Sequence, residues 1–233
     1  MSEAAQGNTS DATAPLSTHI DPAPKEIPLL DGSLRGFLSL PTDPSALIVM
    51  AHAGKIPEAH DEALAETLRQ EGMATLVIDL LTHQEERFAD VHNNVPLLSK
   101  RLLGCLTQIK RQMQNGELPT LSIGLCTADS TSPVAIRVAA LRDHDIAAIA
   151  CRGGLIDLAG GLYLRSLESP LLVLLGEHDE TLLASNQRAL KQVACNKILD
   201  VIPDTDSTFA STIALAAIAQ KISHWFIQHC HLN

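Results

Sequence analysis

Residues 123–140 read IGLCTADSTSPVAIRVAA: an apolar run, a short polar turn, then a helix. The turn offers Cys126, Asp129 and Ser130 as groups that can attack an electrophilic carbon. A thiol or a hydroxyl needs a base to take its proton. A carboxylate can attack as it stands, but a histidine must then activate water for the second step. The groups that could cooperate with this turn lie far off in sequence, each just after another apolar run. They are His52 and Ala53, Asp79, Cys151 and Arg152, His178 and Asp179, and Asp204 to Ser207. Strands that simply end in polar loops give the same pattern, so position alone does not separate function from architecture.

The elements around these residues alternate. Apolar runs occur at 46–51, 74–79, 120–125, 146–151, 171–176 and 197–202. They are short and show little polar alternation, as parallel strands buried on both faces do. Ahead of them, EIPLLDGSLRGFLSLP places an Asp31-Gly32 turn between two alternating runs, which predicts a β-hairpin. Helical spacing fills the gaps: Leu98, Leu102, Cys105, Ile109 and Met113 share one face, as do Leu215, Ile218, Ile222 and Phe226. Ser132 reads as an N-cap with Pro133 at the first helical position, and residues 181–194 read as a further helix. The stretch HDEALAETLRQEG (60–72) reads as a solvated helix with Ala63, Leu64 and Leu68 turned inward. The three histidines of HWFIQHCHLN read as a frayed helix end. The expected class is α/β, a doubly wound, mostly parallel sheet with the antiparallel hairpin at one edge. In such sheets ligands bind at the carboxyl ends of the strands, where the candidate residues should converge.

Composition narrows the function. The chain has 233 residues, 45% of them hydrophobic and 19% charged, an ordinary globular balance. Residues 1–25 carry neither a basic nor an apolar signal region and are rich in Ser, Ala, Thr and Pro, so they are expected to form a disordered tail. The interior has no repeat and no linker, which predicts one domain over 26–233. A net charge of −10 argues against nucleic acid and against anionic membrane as partners. No apolar run approaches the roughly 18–20 residues of a membrane span. Five widely spaced cysteines suggest free thiols in a reducing, cytoplasmic compartment. No His-x-Glu or Cys-x-x-Cys spacing supports a metal site, and no cofactor is expected.

Four stretches in order, HAGK (52–55), GMATLVIDLLTHQEE (72–86), CRGGLIDLAGG (151–161) and LLVLLGEHDETL (171–182), resemble the α/β-hydrolase superfamily, specifically the dienelactone hydrolase-like family, over roughly residues 28–230. The resemblance implies the α/β-hydrolase fold without a large cap, and a triad of nucleophile, His and Asp. It makes Asp179 the acid. It offers two registers for the nucleophile. In one, Asp129 takes the position, flanked by Thr127 and Thr131. In the other, Gly124-Leu125-Cys126-Thr127-Ala128 presents Cys126, the residue type dienelactone hydrolase uses. The helix start near Pro133 and the spacing to CRGG favour Asp129. The histidine position falls on Ser207, and Ser cannot serve as a general base near neutral pH. His52 and Ala53 fall near the oxyanion-hole loop, and Cys126, Ser130, Arg152 and His178 complete the expected binding positions. The implied function is that of a catalytically degenerate relative binding a small molecule or a protein partner. The alternative is an active hydrolase of an ester, lactone or thioester using Cys126 or Ser130. With no imidazole between them, Asp129 and Asp179 need relief from repulsion, by a shared proton, a cation or Arg152 reaching in.

Overall fold

The computed structural model describes residues 23–54, 58–141 and 146–230. The six apolar runs form parallel strands β3 (Ala46–His52), β4 (Ala74–Asp79), β5 (Ser122–Ala128), β6 (Ile146–Arg152), β7 (Leu171–Gly176) and β8 (Lys197–Ile202). The hairpin β1 (Lys25–Leu29) and β2 (Leu34–Ser39) pairs antiparallel and joins the sheet beside β4. The strand order is β1-β2-β4-β3-β5-β6-β7-β8. Residues 1–22, most of the expected tail, lie outside the described residues, and Lys25 already belongs to β1.

Side-chain alternation along the strands builds two cores. Leu47, Val49, Leu125, Ile149, Val173 and Leu175 face one side, under α2 (Val95–Gln114), α3 (Ser132–Leu141), α4 (Gly161–Ser166) and α5 (Glu180–Leu190). Ile48, Met50, Cys126, Ala150, Leu172 and Leu174 face the other, under α1 (Glu58–Gln70) and α6 (Thr212–His229). Small residues on the second face let α6 come close. A Cβ at Gly124 would strike the Phe226 ring and Ile48, so the glycine is the slot that Phe226 fills. The chain leaves β3 toward β4 and leaves β5 toward β6, in opposite directions, which opens a crevice at the carboxyl ends of β3 and β5.

Three boundaries differ from the sequence reading. Strand β5 runs on to Ala128, because Thr127 pairs with Cys151 and Ala128 with Arg152, and the buried Thr127 hydroxyl lies 3.6 Å from the Cys151 sulfur. A 3-10 turn over Asp129–Thr131 runs directly into α3, so Ser132 is already helical rather than an N-cap. Helix α5 stops at Leu190, short of residue 194.

Candidate functional site

The turn after β5 is held from three sides. Asp129 has φ 46, a left-handed conformation that costs a side-chain-bearing residue of order 1 kcal/mol and that Asp tolerates better than most. The Thr131 hydroxyl accepts from the Ala128 N–H at 3.2 Å and lies 2.9 Å from the Ala51 carbonyl, tying the turn to the end of β3. The Ser132 hydroxyl donates to the Gly153 carbonyl at 2.9 Å. Gly154, at φ 82, has its backbone directly against the Asp129 carbonyl, where no Cβ fits. The Asp129 side chain is exposed and Ser130 is half-buried. Cys126 lies three residues earlier, inside the core under α1 and α6, and burial pushes its thiol up to about 11. It is a thiol, not a thiolate, at neutral pH.

The loop after β8 folds onto the end of β7. Its backbone at Thr205 and Asp206 occupies the space a Gly176 side chain would need. This brings Ser207 to Asp179: the Ser207 N–H donates to Asp179 Oδ2 at 2.5 Å, and the Gly176 N–H donates to Ser207 Oγ at 3.0 Å. A Cβ at Gly153 would lie 3.2 Å from that of Ser207. The Gly153-Gly154 turn therefore touches Ser207 with one residue and Asp129 with the next, so Asp129, Asp179 and Ser207, the positions the resemblance assigned to a triad, share one edge of the sheet. His178, beside Asp179, is exposed, and its N–H donates to the Thr205 carbonyl at 3.0 Å.

His52 and Arg152 lie beneath this edge rather than on it. Both are buried, and Arg152 Nη2 is 2.6 Å from Asp61 Oδ1 of α1. The guanidinium thus turns to Asp61 and does not relieve the Asp129–Asp179 pair in the way the sequence suggested. His52 Nε2 stands 3.7 Å from Asp61 Oδ2, too far for a hydrogen bond, and burial holds the imidazole down at about 4, hence neutral. Among the described residues, neither His52 ring nitrogen nor Arg152 Nε has a hydrogen-bond partner. Sequence reasoning missed Asp61 by treating its helix as a solvated face. The signal was there: Asp61 shares the stripe of Leu64, Ala65 and Leu68, all buried.

The loop after β3 carries a second missed feature. Ala53 is half-buried, and its carbonyl lies 2.8 Å from His92 Nδ1, while His92 Nε2 lies 2.9 Å from the Glu86 carbonyl. The Gly54 N–H donates to Asp79 Oδ1 at 3.0 Å, and the Leu81 N–H donates to the same oxygen at 2.9 Å. Nothing in the sequence marks His92, because both its partners are backbone carbonyls, which carry no residue-type signal. An open cleft of about 510 Å³, lined by Ala184, Gln187, Arg188, Leu190, Lys191 and Leu199, lies between α5 and β8, away from this edge. Among the described residues no helix is long and apolar enough to cross a membrane, and no group of three or more His, Cys, Asp or Glu is placed to hold a metal.

The fold matches known proteins. The solved dienelactone hydrolase of Anabaena variabilis superposes with a TM-score of 0.82 at 30% identity, covering 90% of this chain and 100% of that one. The chain belongs to the dienelactone hydrolase-like family of the α/β-hydrolase superfamily. More distant neighbours share only the fold. Est1E from Butyrivibrio proteoclasticus has a TM-score of 0.72 at 16% identity, over 89% of this chain and 98% of that one. Carboxyl esterase 2 of the fungus Tuber melanosporum has 0.70 at 14%, over 94% and 90%. Curated proteins from two strains of Mycobacterium tuberculosis, provisionally named phosphoribosyl transferases, are 32% identical over 197 residues, 83% of this chain. The chain spans 43% of the length of those relatives. No family model matches it.

Proposed function

We propose that this dienelactone hydrolase-like chain is a binding protein in which the hydrolytic triad has been replaced, with Asp129 at the nucleophile position, Ser207 at the base position and Asp179 at the acid position. The observation that carries this reading is the bond from the Ser207 backbone amide to Asp179. The acid that orients an imidazole in a working triad here orients a peptide N–H. The Ser207 hydroxyl is itself committed to the Gly176 N–H, and no proton acceptor of suitable basicity occupies that position. An Asp129 carboxylate could form an ester with a substrate, but without a histidine at position 207 the ester would not be released by activated water. The alternative nucleophile, Cys126, lacks the thiolate form at neutral pH and lies inside the core.

The ligand this reading favours is a small molecule or a protein surface at the carboxyl ends of β3, β5, β7 and β8, contacted by Ala53, Asp129, Ser130 and His178. The net charge of −10 disfavours nucleic acid and anionic lipid. The five free cysteines fit a reducing, cytoplasmic setting. The test is turnover of p-nitrophenyl esters together with serine- and cysteine-directed hydrolase probes read by intact mass. The expected result is turnover at the buffer rate and no probe adduct. Turnover clearly above buffer that disappears in Cys126→Ala or Ser130→Ala overturns the reading in favour of an active hydrolase.

A further inference from the structure

His92 sits in the segment between β4 and α2, and both of its ring nitrogens point at backbone carbonyls. A carbonyl oxygen only accepts. A neutral imidazole has one N–H and one bare nitrogen lone pair, so it can satisfy one of the two carbonyls and must turn a lone pair toward the other. An imidazolium satisfies both. The ring also stacks directly on Gly54, where any Cβ would collide with its Cε1 and Nδ1 atoms, so ring and loop form one packed unit.

The charged groups around the ring favour the second proton. Asp79, at the end of β4, and Glu86, four residues before Asp90 in the same segment as His92, both attract the cation, and His83 lies 3.7 Å from Glu86 on the outer side. The two carbonyl contacts and these carboxylates raise the affinity of His92 for its proton above the ordinary histidine value, against a smaller opposing effect of burial. Asp79 is itself shifted upward by burial, and its Oδ1 accepts from the Gly54 amide.

We propose that His92 is a pH-operated latch: as an imidazolium it donates to the Ala53 and Glu86 carbonyls and fixes Ala53-Gly54, at the end of β3, to the 82–94 segment, and on losing one proton it releases one carbonyl and loosens that junction. Ala53 and Gly54 follow β3 directly and so border the crevice at the ends of β3 and β5. In the α/β-hydrolase fold the equivalent loop lends an N–H to the oxyanion hole. The latch would therefore set how firmly this wall of the site is held, whether the site binds or reacts. Its sign is fixed by the direction of the shift. The latch is fully closed below the ordinary histidine value of about 6.5 and opens as pH rises through the higher folded-state value.

Two measurements on the full chain test it. The first is a histidine-selective NMR titration, with the His92 ring assigned by its through-space contact to Gly54. It should show both ring nitrogens protonated at pH 6 and a midpoint above 6.5. The second is the hydrogen-exchange protection of the Gly54 amide. Between about pH 6 and pH 8.5 it should fall about fivefold, the equivalent of one hydrogen bond at about 1 kcal/mol. In His92→Gln, which keeps Asp79 and Glu86, the pH response should vanish. A midpoint at or below 6.5 overturns the latch. So does Gly54 protection that ignores pH, or that responds alike in wild type and His92→Gln. The titration needs only the wild-type protein, so a variant that fails to fold does not shield the proposal.

Discussion

Replacing Arg152 by Met leaves Asp61 buried and alone. The two side chains are each 7% exposed and their closest atoms are 2.6 Å apart. At an effective dielectric of about 20, charges at that distance attract by roughly 6 kcal/mol, most of which offsets the desolvation of both groups. Removing one partner of such a pair costs about 3–5 kcal/mol, because the other charge keeps its desolvation penalty without its partner. For a chain of this size each 1 kcal/mol moves the melting temperature by about 2–4 °C, so Arg152→Met should lower it by roughly 6–20 °C at pH 8. The loss should shrink toward pH 5. Without the guanidinium, His52 is relieved of one of the influences that keep it near 4 and gains a proton more readily, 3.7 Å from the unpaired Asp61. Relative to wild type, that extra proton uptake in the folded state recovers part of the loss as pH falls. Adding Asp61→Asn to Arg152→Met removes the charge at every pH and should restore most of the loss at pH 8. Thermal melts of the three proteins at the two pH values are the assay. A single-variant loss under about 1 kcal/mol, or a double variant no more stable than the single, would refute the reasoning that the pair is a closed, buried unit.

Two further outcomes follow from the turn after β5. Gly154→Ala should cost at least about 2 kcal/mol, seen as a melting point lower by at least about 4 °C, because the new Cβ meets the Asp129 backbone and φ is 82; an unchanged melting point means the turn can shift freely. At position 129 itself, where φ is 46, Asp129→Asn should be neutral within about 0.5 kcal/mol and Asp129→Val should lose about 1–2 kcal/mol, since a β-branched residue fits that conformation poorly; equal stability of the two variants in chemical denaturation would show that the turn does not hold its left-handed form.

The sheet was legible because its signal is local. Runs such as LLVLLG and KILDVI became strands with the bounds their apolar residues mark. Asp31-Gly32 turned the hairpin as its residue types require. Strand β5 was misjudged at its end because Thr127 is polar by type yet buried by register, and pairing with β6 outweighs residue type. The site was less legible for a related reason. The Ser207 contact with Asp179 and the His92 contacts with Ala53 and Glu86 run through backbone N–H and carbonyl groups, which residues share whatever their side chains, proline's missing N–H aside, and no sequence pattern marks. Arg152 was visible as a polar residue at a strand end, but which way it turns depends on Asp61, which stands 91 positions away.

The Gly153-Gly154 turn has a mechanical consequence. It is wedged between the loop carrying Asp129 and the loop carrying Ser207, and it has no side chain on either flank. Such a wedge sets the gap between the two loops to one backbone thickness. Neither loop can close on the other without running into it, and neither can be braced by a bulkier residue there without being pushed outward. The spacing of the site is thus maintained by main-chain bulk, not by the groups that would do chemistry across it. Substitutions at the chemical positions can accumulate while the gap stays constant. An engineer who wished to place new reactive groups at positions 129 and 207 would inherit that gap as a fixed dimension to build across.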